Sequence, residues 1–204
     1  MTPRAALERG LNELALAMPA TAVNQLLAYE DLLIKWNRAY NLTAIRDPIE
    51  MVSRHLLDSL AVVHHLPMNE GGALADVGSG AGLPGIPIAI ARAGWRVTLN
   101  DSSQKKSAFL RQAAIELGLR NVQVHEGRIE AWRPATRFAL VISRAFAELG
   151  DFIAKCRHLV VDGGWLAAMT GRAPTVLGAQ CEVIPLKVPQ LDARRHLVLC
   201  RAGG

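Results

Sequence analysis

The stretch DVGSGAGLPG, running from Asp76 to Gly85, decides how this 204-residue chain is read. It follows a short apolar run, residues 73–77, and leads into the apolar IPIAIA that starts at Ile86. Gly78, Gly80 and Gly82 recur at every second position, where glycine permits positive φ and lets the backbone approach a ligand closely. Pro84 and Pro87 lack an N–H and are tolerated only in the first turn of a helix, so the helix is expected to begin near Leu83 or Pro84. Residues 78–82 therefore form a loop at the carboxyl edge of a strand, where open α/β sheets bind ligands.

Outward from that loop, short β-like runs alternate with helical ones, the pattern of βαβ units around a parallel sheet. Strands are expected near 73–77, 96–100, 121–125, 138–142 and 163–168. Helices are expected near 84–93, 103–118 and 147–159, with a shorter segment after Glu130. The last two apolar runs, Cys181 to Pro185 and His196 to Arg201, have no helix-length segment between them and read as an antiparallel hairpin closing the sheet. Toward the N-terminus, Leu26, Leu27, Leu32, Leu33 and Trp36 fall at helical spacing, the pattern breaks around Asn37 to Asp47, and Pro48 opens a new helix. Met51, Val52, Leu56, Leu60, Val63 and Leu66 make its apolar face, with Arg54, His55, Asp58 and Ser59 on the flanks. The expected organisation is a helical extension over residues 1–68 on one α/β domain over 69–204.

At 204 residues, half of them apolar, the chain is long enough for one well-buried domain and too short for two comfortable ones. The net charge of +5 arises from 23 Lys and Arg against 18 Asp and Glu, interspersed, a mild pointer to a polyanionic partner. Cys156, Cys181 and Cys200 are odd in number and form neither CxxC nor Cys/His patterns, so reduced thiols, a cytoplasmic location and no metal are expected. Glu8 and Glu13 interrupt any secretory apolar core near Leu14 to Ala17, and no apolar run reaches membrane-spanning length.

Two cofactors compete for the glycine loop. Gly80, Gly82 and Gly85 formally satisfy GxGxxG, but a dinucleotide fingerprint places its first glycine directly after the strand, and that residue is Gly78; counted from it, the last position is Leu83. Asp76 at the strand end would repel a pyrophosphate and suits the cationic amino group of a methionine moiety. S-adenosylmethionine is thus favoured over a nicotinamide dinucleotide. Asp101, ending RVTLND, lies where an acid accepts hydrogen bonds from ribose hydroxyls, or it caps the next helix. Glu126 and Glu130 in HEGRIEAW are both acceptors for an adenine amino group, and spacing alone does not choose between them.

The loop, together with KWNRAYNLTAIRD, RHLLDSL, VISRAFAEL and RRHLVL, resembles the RsmG (GidB) family of bacterial small-subunit ribosomal RNA guanine-N7 methyltransferases, from about Tyr29 to Arg201. The resemblance implies a class I S-adenosylmethionine-dependent methyltransferase fold: α/β, Rossmann-like, a mostly parallel seven-stranded sheet with an antiparallel C-terminal hairpin and a helical N-terminal extension. It implies action on one guanine of the 530 loop of 16S rRNA, at rRNA position 527, with the 30S subunit or an assembly intermediate as partner, no membrane, and a monomer. Cofactor contacts carry over to Gly78, Leu83, Ile129, Glu130 and Arg144, with Asp101 at the ribose, which favours Glu130 over Glu126. At Met169–Arg172 the chain reads MTGR where the family usually has lysine before the glycine; here that residue is Thr170.

Guanine N7 carries a lone pair and no proton, so methyl transfer to it needs no general base, and no catalytic residue is assigned. After the fourth strand stand Ser143, Arg144, Ala145 and Phe146 rather than the Asn/Asp-Pro-Pro pattern that engages an exocyclic amine. Arg144 suits a methionine carboxylate or a guanine O6, or forms a structural ion pair. Phe146 is a candidate for stacking on a flipped base, or for the core. Lys35, Arg38, Arg46, Arg54 and His55, with Lys105, Lys106 and Arg111, are candidate RNA contacts; Arg194, Arg195 and His196 lie at the closing hairpin. The alternatives are an assembly factor that binds cofactor and RNA without catalysis, and a nicotinamide-dependent oxidoreductase.

Overall fold

The computed structural model describes every residue except Ala145, Ala147, Val176, Leu177, Ala179 and Gly204. Prolines and polar caps start the N-terminal helices. In α1 (Pro3–Glu13) the Thr2 hydroxyl accepts from the Ala5 amide at 3.2 Å, satisfying a first-turn donor. α2 (Ala20–Tyr40) stops where Asn41 turns left-handed at φ 50°. α3 (residues 48–60) repeats the device: Pro48 leads and Asp47 Oδ1 accepts from the Glu50 amide at 2.9 Å. Its middle, Val52–Leu57, winds wider as a π-type turn before Asp58–Leu60 completes it. Such turns recur at functional sites.

The described residues form a seven-stranded sheet in the order β3-β2-β1-β4-β5-β7-β6. Its strands are β1 (Ala73–Val77), β2 (Arg96–Asp101), β3 (Val122–Glu126), β4 (Phe138–Ser143), β5 (Val160–Thr170), β6 (Cys181–Leu186) and β7 (Arg195–Arg201). The first five pair in parallel, whereas β7 runs antiparallel to both β5 and β6. This is the expected parallel sheet with its closing hairpin. Three helices follow strands: α4 (Gly85–Ala91), α5 (Gln104–Glu116) and α6 (Leu149–Cys156). The expected start of α6 at residue 147 lies outside the described residues. β5 begins three residues before its expected position; its register with β4 slips between Phe138–Val160 and Leu140–Trp165, around Gly163 at φ 71°.

Packing joins the N-terminal helices to one face of the sheet. Leu7, Leu33 and Leu57 share a core with Leu74, Ile86 and Phe109. Gln25 donates to the Leu117 carbonyl at 2.9 Å, and Trp36 tilts against Phe109 with ring centroids 5.5 Å apart. On the opposite face Phe152 and Leu159 cover Ala75, Val77 and Val141.

The cysteine expectation is corrected. Cys181 and Cys200 are directly opposite each other in the β6–β7 ladder and are joined by a disulfide, leaving Cys156 as a buried free thiol. Sequence spacing missed the pair because two cysteines 19 residues apart in sequence become neighbours only after the hairpin closes. Among the described residues no helix is long and apolar enough to cross a membrane.

Candidate active site

The strand order reverses between β1 and β4, so the loops leaving their carboxyl ends border a crevice. After β1 the chain is held backbone to backbone. The Ser79 amide donates to the Asn100 carbonyl at 2.9 Å, the Leu83 amide to the Ser79 carbonyl at 3.0 Å, and the Ser79 hydroxyl to the Asp76 carbonyl at 2.8 Å. From α2, the fully buried Tyr29 donates its hydroxyl to the Ala81 carbonyl at 2.6 Å, and burial raises its phenol pKa above the usual value. Gly78 and Gly80 take φ of 68° and 60°. A Cβ on Gly80 would meet nothing nearer than the Gly78 carbonyl oxygen at 3.9 Å, so the space above that turn is open to a ligand.

Two cavities flank the loop and share Gly78. The larger, about 370 Å³, is lined by Asp101, Ile129, Glu130 and Phe146. The smaller, about 180 Å³, is lined by Thr43, His55, Gly80, Leu83 and Arg144. A third cavity of about 380 Å³ shares His55 and Arg144 with the smaller one and adds Arg54, Asp58, Thr170 and Arg195. The structure thus brings Gly78, Gly80, Leu83, Asp101, Ile129, Glu130 and Arg144 to one groove. Asp101 is anchored there rather than capping directly: Oδ2 accepts from the Gly80 amide at 3.0 Å and Oδ1 from the amide of Ser103, which is the N-cap of α5, at 2.8 Å. Glu126, by contrast, is engaged by Arg111 at 3.0 Å, leaving Glu130 as the acid of that strand end on the cavity wall.

Asp76 departs from its expected place. It is fully buried and lines none of these cavities; Oδ2 accepts from the Gly85 amide at 2.9 Å and Oδ1 has no partner among the described residues. Burial pushes its carboxyl up to about 7, against the lowering effect of the Gly85 amide. It ties the loop to the start of α4 from below. Of the two readings left open for Phe146, the structure favours the core: it packs on Phe152 with centroids 5.3 Å apart and lines the cavity with Glu130, not the one toward the RNA candidates.

The flanks of α3 are the other correction. Only Arg54 is exposed; His55, Asp58 and Ser59 are buried. His55 and Asp58 do not pair. His55 Nδ1 donates to the Arg54 carbonyl at 3.0 Å, which leaves Nε2 to accept from the Thr43 hydroxyl at 2.8 Å. Burial first, and the Arg144 guanidinium second, lower its pKa to about 4, so His55 is neutral at pH 7. Asp58, 2% exposed in its side chain, takes two arginines at once: Arg144 Nη1 at 3.0 Å on Oδ2 and Arg195 Nε at 2.9 Å on Oδ1. Arg144 also donates to the Arg54 carbonyl at 3.2 Å.

Sequence reasoning did not single out Thr43, nor Asn37, whose side-chain oxygen accepts from the Thr43 amide at 2.9 Å and shapes the turn after α2. The left-handed Asn41 in NLT was the available signal. Lys35, Arg38, Arg46 and Lys105 are exposed and line none of the three cavities, while Lys106 sits 3.8 Å from Asp101. Thr170 donates to the Arg172 carbonyl at 2.7 Å, and Arg172 itself is exposed.

Comparison with known proteins places this arrangement. The family described as rRNA small subunit methyltransferase G matches residues 22–183. Ribosomal RNA small subunit methyltransferase G of Methylobacillus flagellatus is 50% identical over 201 residues, covering 96% of this chain and 97% of the relative. That of Chromobacterium violaceum is 51% identical, covering 95% of each. Among solved structures, a SAM-dependent methyltransferase from Aquifex aeolicus superposes with a TM-score of 0.57 at 16% identity, covering 76% of this chain and 94% of that one. TrmN from Thermus thermophilus gives 0.53 at 18% identity, covering 74% and 53%. These structural likenesses concern the fold.

Proposed function

The chain belongs to the rRNA small subunit methyltransferase G family, and from that premise we propose that it methylates N7 of a guanine in the 530 loop of 16S rRNA, at rRNA position 527. It is an S-adenosylmethionine-dependent rRNA methyltransferase. The observation that carries the reading is the pair of cavities meeting at Gly78, one with acids and apolar walls, the other with an arginine.

The residues present fit the methyl donor. Asp101 retains lone pairs for ribose hydroxyls beyond its two backbone bonds. Ile129 and Phe146 offer apolar surface to an adenine, with Glu130 for its amino group. Arg144, 28% exposed and lining the smaller cavity, would hold the methionine carboxylate. When bound, S-adenosylmethionine supplies an electrophilic methyl group on a sulfonium. The chain's own work is alignment and water exclusion, worth several kcal/mol when reactants are held in attack geometry. No side chain has to take a proton, because N7 attacks with its own lone pair. The buried neutral imidazole of His55 suits that chemistry, since it adds no second cation beside Arg144.

We read residues 1–68 as an extension of the 69–204 domain, acting as a monomer in the cytoplasm on the 30S subunit or its assembly intermediate. A reducing cytoplasm opposes the Cys181–Cys200 bridge, so thiol titration of protein lysed under alkylating conditions tests the location: three free thiols support it and a single one rejects it. For the reaction itself, mass spectrometry of 16S rRNA from a deletion strain should show loss of one 7-methylguanosine. Persistence of every 7-methylguanosine rejects the reading.

A further inference from the structure

The outer cavity is built around one buried carboxylate shared by two guanidiniums. Asp58 splits its oxygens between Arg144 and Arg195, whose side chains are 28% and 25% exposed. Arg144 lines both the outer cavity and the one under the glycine loop, whereas Arg195 lines only the outer one. Arg54 adds a third guanidinium to the outer wall, and the neutral His55 adds no charge, so three cations there face one carboxylate. Arg54 has Glu50 near it at 3.9 Å, both more than 40% exposed, a pair too solvated to cancel the excess. Among the described residues, Nε and Nη2 of Arg144 and Nη2 of Arg195 donate to no partner. Guanidinium forks with spare donors, fixed by a buried acid and in net positive surplus, match the geometry and charge of a phosphate group.

We propose that the outer cavity is a phosphate subsite for the RNA strand carrying the target base, and that Asp58 is a positioning residue that directs Arg144 to the methyl donor and Arg195 to that phosphodiester. The inference rests on the RNA methyltransferase reading. It assigns the two arginines to different substrates although both are anchored to the same side chain. Both the donor's carboxylate and an RNA phosphate are anions, so the test must separate them.

The full-length protein is assayed on 30S particles that lack the modification, with donor affinity measured by calorimetry and RNA affinity by titration of a labelled 530-loop oligoribonucleotide. Arg195→Gln should raise KM for the particle about tenfold, leave kcat and donor affinity within about twofold, and reduce the slope of log K for RNA against log salt by about one. Arg195→Lys, which keeps the charge and loses the fork, should restore the salt slope but not the full KM. Asp58→Asn should weaken donor and RNA binding together. An Arg195→Gln variant with unchanged KM and salt slope overturns the proposal, as does one whose donor affinity falls while RNA binding holds. If the wild-type protein transfers no methyl group yet the salt slope responds to Arg195, the phosphate subsite stands and the catalytic reading falls.

Discussion

The two halves of the groove are made from different material. The donor half is mostly backbone: glycines at positive φ, amide-to-carbonyl bonds within residues 76–85, and a carboxylate, Asp101, that itself grips the Gly80 amide. The acceptor half proposed above is side chain on side chain, with Asp58 holding Arg195 within it and Arg144 at its border with the donor half, the three drawn from segments up to 137 residues apart. A backbone-built pocket writes itself into a short stretch of sequence, because only glycine and proline permit its conformation. A side-chain-built pocket leaves no local trace. The two sides also titrate in opposite senses, since an acid, Asp76, is buried beneath the glycine loop and a base, His55, is buried where the two halves meet.

The largest blow to the acceptor half is Asp58→Ala. It leaves two partly buried guanidiniums without their anion and should cost about 3 kcal/mol, less than a wholly buried pair would because both arginines are a quarter exposed. Chemical denaturation measures it, and a cost below about 1 kcal/mol would remove the network from any structural role. The donor half answers next. The native state holds Asp76 at about 7, above the ordinary carboxylate value, so its contribution is most favourable in acid and is lost as pH rises toward 7. Asp76→Asn keeps an acceptor for the Gly85 amide and should abolish this fall, gaining about 2–3 kcal/mol at pH 8 relative to pH 5.

His55 gives the mirror image. Its native pKa of about 4 lies below the ordinary imidazole value, so the unfolded chain takes up the proton first and stability drops as pH falls from about 6.5 toward 4. His55→Gln should flatten that drop, by about 2 kcal/mol between pH 7 and pH 5. Unfolding curves of the two variants across this range should therefore tilt in opposite directions, and parallel tilts would break the contrast. The smallest effect on stability is Gly80→Ala. A left-handed alanine costs about 1 kcal/mol, and the Cβ finds open space in the protein. In the proposed donor site that space belongs to the ligand, so S-adenosylmethionine affinity by calorimetry should fall about tenfold while the fold survives.

The same contrast explains what was legible. The parallel sheet, its order of strands and helices, the closing hairpin and the groove position of Gly78, Leu83, Asp101, Ile129 and Glu130 followed from periodicity, from proline and glycine chemistry, and from the family resemblance. Asp76 was read as facing a ligand because its charge suits a cationic amino group, but a strand-end acid can point up or down, and one residue of pleat decides which. His55 and Asp58 could be read as flank residues of one helix, yet each finds its partner elsewhere: Thr43 in the turn after α2, and the two arginines following β4 and opening β7. Thr43 itself carried no chemical signature; what matters is the left-handed Asn41 and the buried Asn37 that turn the chain back over the groove. The disulfide was invisible for the same reason as the arginine network, since pairing across β6 and β7 exists only once the strands are in register.

The Tyr29 hydroxyl, bonded to the Ala81 carbonyl across 52 positions of sequence, couples the opening of two distant segments. The glycine loop cannot swing out while α2 is docked unless that bond breaks, so in amide hydrogen exchange the protected amides of residues 79–86 should follow α2 as one cooperative unit. A ligand seated on the loop would then slow exchange in a helix it never touches.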